Sequence, residues 1–339
     1  MTFKRALLLA LVLLTGAQAY TAVIPLPVLP SGTLTLRVAH VVNPRLPRIT
    51  DAQLSALLAA TARTAHAHWG VTLRFAPAVE MDIATLFERI PVARRKLAAK
   101  QSFDFKSGHG DPDKLARAYG SGFKASQEPL DPMVAYARAH GANVDGKNYP
   151  AFGTAMAQLQ LSRIAGWQSR NGLDGQPVMD AAPYNEYPMW VALGYGNLPF
   201  ELLITNQIIA GAEYIDPAVH TALRGGYSNG ITSYSRKSRF LNFSVWSTYA
   251  YTGNDDALVA LRGGERYSPD EVAELAGVGA AHELGHQLLH LLHPFGNTAC
   301  VMNPVPLFSY REWAQKLKPA ECALGSSPAM TPGAYKPTY

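Results

Sequence analysis

Residues 282–286 read His-Glu-Leu-Gly-His. Histidines four apart share one face of a helix, so both imidazoles can bind a single zinc ion, at about 2.0–2.1 Å. A glutamate directly after the first histidine reaches a metal-bound water and serves as general base. The chemistry expected of such a set is hydrolysis. Zinc acidifies the water and polarises a carbonyl, while Glu283 takes the water's proton and later passes it to the leaving group.

A catalytic zinc needs a third protein ligand and one position open to water. His290 and His293 are the nearby candidates. On a continuous helix His290 lies about 12 Å along the axis from His282, and His293 about 10.5 Å beyond His286, so neither reaches the metal. Pro294, however, disfavours helical conformation at His293, and Gly296-Asn297 is a turn signal. A chain that bends back there brings His293 to the zinc. His293 is therefore the expected third ligand and His290 a solvated or supporting residue, with Glu312 a glutamate-type alternative.

The stretch 280–304, AAHELGHQLLHLLHPFGNTACVMNP, resembles the active site of metzincin metallopeptidases, H-E-x-x-H-x-x-G-x-x-H followed by a Met-containing turn. Its Cys-x-Met spelling is most similar to that of archaemetzincins. The resemblance implies a zincin-like catalytic domain, a peptide or protein substrate, and Met302 as the hydrophobic floor beneath the metal. In some related peptidases a tyrosine after the Met-turn stabilises the oxyanion of a tetrahedral intermediate, a role this implies for Tyr310, whose alternative reading is a packing aromatic. The sequence departs from the pattern at three points. Leu289 stands where the family has the glycine that ends its helix, Leu292 stands where it has the third histidine, and Pro294 replaces the cysteine of archaemetzincins. The structural second zinc of that family is therefore not expected. Two further readings share these residues: an exported zinc-binding protein that has lost catalysis, and a zinc amidase acting on cell-wall peptides.

The elements that must position these residues are legible in outline. Ser268, Pro269 and Glu271 form a capping box with proline at the first helical position, opening the helix that carries the histidines. Val272, Leu275, Ala276, Val278 and Leu284 supply its packing face, and Gly277, Gly279, Ala280 and Ala281 are expected to keep the side near the ligands small. Upstream, 33–42 alternates as a strand, Thr50 and Gln53 cap a helix that Gly70 stops, and 71–76 is a second strand. This β-α-β opening predicts a parallel pair. Residues 83–100, 132–140 and 151–169 read as helices, so 83–199 is a largely helical insertion or subdomain. Strands return at 201–209, 230–235 and 241–251, the first expected to be an edge on which a peptide can pair. The fold class is α+β with a mixed sheet, in one catalytic domain over 33–339. His40, His66, His68 and His220 stand isolated and read as surface or core residues.

The 339 residues are 48% hydrophobic and 16% charged, which excludes a disordered chain, and 28 Gly with 24 Pro show no collagen period. The net charge of +5 is scattered, with no basic stripe interleaved with aromatics, so no nucleic-acid partner is expected. Lys4 and Arg5, the apolar run 6–14 and Ala17-Gln18-Ala19 make residues 1–19 a signal peptide, followed by a Pro-rich leader over 20–32. The mature protein is expected to be secreted or periplasmic, with no stable membrane insertion. Cys300 and Cys322 are the only cysteines, and an oxidising compartment favours their pairing. Asn242-Phe243-Ser244 spells a glycosylation acceptor but falls in a predicted strand and is discounted.

Overall fold

A computed structural model describes residues 32–101, 111–126, 129–168, 170–179, 183–211, 218–233, 242–305, 307–326 and 330–331. The expected signal peptide, and all but the last residue of the Pro-rich leader, lie outside the described residues. The strand expected over 33–42 is in fact two, β1 (Thr33–Leu36) and β2 (Val38–Val42). Arg37 separates them because Glu201 holds it, Oε2 accepting from the backbone N (2.8 Å) and Oε1 from Nη2 (2.6 Å). Helix α1 (Asp51–Trp69) opens on the Thr50–Gln53 capping box and stops where Gly70 turns left-handed at φ 69°. Strands β3 (Thr72–Phe75) and β4 (Val79–Asp82) then run parallel to β1 and β2 respectively, as the β-α-β opening requires.

The described part of 83–199 is mostly helical: α2 (Ile83–Glu88), α3 (Val92–Gln101), α4 (Pro112–Ser126), α5 (Leu130–Ala139), α6 (Tyr149–Gln168) and α7 (Tyr187–Ala192). The single helix expected over 83–100 is divided, because Pro91 begins a new helix, its carbonyl accepting from the amides of Arg94 and Arg95. There follow β5 (Leu202–Thr205), α8 (Val219–Leu223), β6 (Gly230–Ser233), β7 (Phe243–Ser247), α9 (Tyr249–Thr252), α10 (Asp256–Leu261), α11 (Pro269–Leu289) and α12 (Tyr310–Lys316).

Five strands form a mixed sheet in the order β4-β2-β5-β7-β6, parallel except that β6 runs antiparallel to β7. This corrects two expectations. The 201–209 strand is only four residues long and lies between β2 and β7, so both its ladders are taken and it offers no edge to a peptide. The 241–251 strand ends at Ser247, and the chain turns into α9. Side chains alternate across the sheet. Val38, Leu202, Ile204 and Trp246 pack with α1 and α11, while Ala39, Val41, Leu203 and Val245 pack with α2, α3 and α7 on the other face. Burial on both faces explains why these strands read as nearly continuous apolar runs.

Helix α11 is seated by its small residues. A Cβ at Gly277 would press on Leu57 O and Ala60 of α1, and one at Gly279 would overlap the Trp246 ring of β7. These glycines let the helix approach α1 and the sheet rather than clearing space beside the ligands. No helix among the described residues is long and apolar enough to cross a membrane. Cys300 and Cys322 are joined in a disulfide, as expected, across 22 residues. On chain-entropy grounds, replacing both with alanine should cost about 3 kcal/mol, read as a lower urea midpoint at unchanged denaturant slope.

Candidate metal centre

The Ser268–Glu271 capping box opens α11, which runs 21 residues to Leu289. Its last two turns carry His282 and His286 on one face. Gly285 between them has no side chain, and that space is filled by Met302 Sδ and the Trp69 ring. The helix stops because His290 adopts left-handed backbone angles, φ 53° and ψ 36°, with its amide bonded to the carbonyls of Gly285 and His286. Leu291 N returns to Gly285 O at 3.3 Å, completing a left-handed C-terminal reversal. That reversal carries His293 back over the helix end.

The three Nε2 atoms converge. They lie 3.1 Å apart between His282 and His286, 3.2 Å between His282 and His293, and 2.9 Å between His286 and His293. Nδ1 of His282 donates to Val301 O at 2.7 Å, and Nδ1 of His286 to Leu291 O at 2.5 Å. A carbonyl oxygen only accepts, so both Nδ1 atoms carry the proton and both Nε2 atoms present lone pairs. Burial keeps protons off these nitrogens. It pushes His282 down to about 3, helped by the charge of His286, and His286 down to about 4. His293 falls well below the ordinary range through burial and its two neighbours. Three neutral imidazoles with converging lone pairs can hold a metal ion, and their spacing approaches the roughly 3.3 Å edge of a tetrahedron with bonds of about 2.05 Å.

Glu283 stands beside the trio on the side of β6 and β7. Its Oε2 accepts from Thr232 Oγ1 at 2.7 Å, and Oε1 faces Gly230, where a Cβ would overlap it. Ser244 Oγ lies 3.2 Å from Glu283 O and donates to Gln287 Oε1 at 2.8 Å. Burial raises the Glu283 carboxyl to about 7, with the Thr232 bond pulling the other way. Ser244 belongs to the discounted glycosylation triplet, and it is fully buried.

Of the other residues singled out in the sequence, Met302 is fully buried under the helix at Gly285. His290 terminates α11 and is outside the convergent set, and Glu312 is exposed and accepts from Lys316 Nζ at 2.6 Å. Tyr310 is buried, with its ring 4.3 Å from that of Tyr251 and its hydroxyl donating to Asn229 Oδ1. It meets the site at one remove, through Asn229 and the adjoining Gly230. Three neighbours, Thr232, Asn229 and Arg224, escaped the sequence reading, and His220, read there as an isolated surface or core residue, stands with its ring edge-on to His293 at 5.3 Å. They come from short segments with no motif of their own, and only the four-residue step from His220 to Arg224 hinted at a shared face. A second group, His40 with Asp51 and Glu80, also has ligand atoms within 4.8 Å of one another, but Arg48 already donates to both Glu80 oxygens, at 3.1 and 2.7 Å.

Comparison with protein-family models, with curated proteins and with solved structures finds no match.

Two predictions follow from this geometry. His293→Ala should abolish stoichiometric metal binding measured by mass spectrometry, whereas His290→Gly should keep the metal and raise stability by about 1 kcal/mol by relieving left-handed strain. The second concerns the metal-free protein. Its imidazoles titrate below the unfolded value of about 6.5, so between pH 6.5 and 4 the unfolded chain binds protons that the native chain refuses. Stability should therefore fall as pH is lowered through that window. Glu283, raised in the native state, opposes this between about 7 and 4.5. The urea midpoint should decline less steeply in His293→Asn than in the wild type.

Proposed function

We propose that this chain is an exported zinc metallopeptidase with a zincin-like, metzincin-type catalytic domain. The observation that carries the reading is the convergence of three histidine Nε2 atoms within 3.2 Å beside a buried glutamate that directly follows the first of them. The termination of α11 adds support. The left-handed residue that stops the helix and the third histidine, His290 and His293, stand three apart, as Gly and His do in the metzincin pattern. The departure from that pattern is thus one residue added to the last helical turn, with the reversal after it kept.

His282, His286 and His293 would hold the zinc. When bound, zinc supplies Lewis-acid chemistry, lowering the pKa of a water toward about 7 and polarising a carbonyl. Glu283 accepts a proton at Oε1 while Thr232 restrains Oε2, then releases it to the leaving amine. A carboxyl raised to about 7 suits a group that must both take and give a proton near neutrality. The edge strand β6 runs alongside Glu283, so an extended peptide can pair with β6, the part expected of 201–209. For Tyr310 to donate to an oxyanion, it exchanges its Asn229 partner for substrate. Residues 1–19 supply the export signal in this reading, and a disulfide suits an oxidising compartment.

Glu283→Gln should retain zinc and lose about 10²- to 10⁴-fold in kcat on unfolded casein. Gly230→Ala should act in the same direction, since its Cβ displaces Oε1. Undiminished turnover in Glu283→Gln would sink the scheme.

A further inference from the structure

Arg224 ends α8 one turn after His220, with backbone angles φ −94° and ψ 6°. His220 touches the metal centre, its ring edge-on to His293 at 5.3 Å and 5.6 Å from Phe295. On the other side, the Arg224 guanidinium carbon lies 5.8 Å from the ring of Phe308, two residues before Tyr310. Arg224 therefore lies close to the site, and its charge acts on His282, His293, Glu283 and Tyr310.

Arg224 is 7% exposed, and among the described residues its guanidinium has no hydrogen-bond or ion-pair partner: Nε is enclosed and donates to nothing, while the two Nη atoms stay open for a ligand. Asn229 Nδ2, on the Glu283 side, is likewise buried and unpartnered. An ionised group taken from water without a partner is costly, and buried charges are ordinarily paired. The nearby acid is Glu283, which is raised and committed to Thr232. Three neutral imidazoles contribute no charge, so a divalent cation leaves the centre with an excess of positive charge. The planar guanidinium fork matches a carboxylate, which it can bind with two hydrogen bonds.

We infer that Arg224 is a substrate-recognition residue that receives a carboxylate next to the scissile bond. That the carboxylate belongs to a peptide rests on the peptidase reading; that Arg224 binds a carboxylate does not. Two sources present this chemistry: the free C-terminus of a peptide, and an aspartate or glutamate side chain.

The test titrates the full-length mature, metal-loaded protein, and a metal-free sample of it, with N-benzoylglycine and its amide in a calorimeter. The wild type should bind the acid about tenfold or more tightly than the amide, as expected for a hydrogen-bonded charge. Arg224→Met should lose that preference, Arg224→Lys should keep part of it, and Arg63→Met on the surface should keep all of it. Arg224→Met should also melt at or above the wild-type temperature, because it removes an unpaired buried cation. Equal affinity for acid and amide in the wild type overturns the inference, as does a preference that survives Arg224→Met or a marked fall in its melting temperature. Matched peptides then separate the sources. Release of the last residue only when the C-terminus is free identifies a carboxypeptidase, and cleavage of amidated peptides beside glutamate identifies the side chain. A binding preference with no peptide cleaved refutes the peptidase reading and upholds the carboxylate site.

Discussion

Which way His282 and His286 present their lone pairs is decided by two backbone carbonyls, those of Val301 and Leu291. Each occupies Nδ1 and leaves Nε2 as the free acceptor. Both carbonyls come from the chain that follows α11, so the donor set exists only after that chain has turned back on the helix. The reversal begins at His290, a side chain held in a conformation that favours glycine. It is secured further along by Met302, packed into the space that Gly285 leaves, and by the disulfide between Cys300 and Cys322. Ligand geometry, helix termination and the covalent link are thus one device.

The helix itself is made rigid from two sides. Against α1 the contact is close because Gly277 presents no side chain, and against the sheet Gly279 admits the indole of Trp246. Those contacts belong to the larger hydrophobic cluster, which joins α1, α11 and one face of the sheet. A buried cluster of imidazoles and a carboxyl is unfavourable by itself, and this packing offsets it. The antiparallel strand β6 closes the remaining side, bringing Thr232 onto Glu283, and among the described residues it pairs with β7 alone.

Electrostatics give the centre its character. Burial drives the histidines neutral and lifts Glu283, so the donor set is uncharged and the carboxyl beside it is poised near neutrality. Arg224 is the exception, a largely buried cation without a counter-ion among the described residues. Native proteins carry such unfavourable groups where binding needs them, and stability is lower for it. The Asn229 amide nitrogen belongs to the same pattern: a buried donor with nothing among the described residues to accept from it.

The sequence by itself determined what is local. Capping residues placed the starts of α1 and α11, Gly70 placed the end of α1, and the four-residue histidine spacing placed two imidazoles on one face, because each of these depends on contacts within a turn or two. Pro294 and Gly296 were enough to argue that His293 turns back. Strand lengths were read too long, since apolar β-branched runs such as 201–209 continue past the last ladder bond, and only neighbours decide where a ladder ends. Which strand forms the edge, what the glycines of α11 pack against, and that His290 terminates the helix were settled by tertiary structure. So were the places of Thr232, Asn229, His220 and Arg224, which reach the centre from β6, its approach and α8. They are far from the histidines in sequence and follow no periodicity, so nothing short of the folded arrangement brings them together.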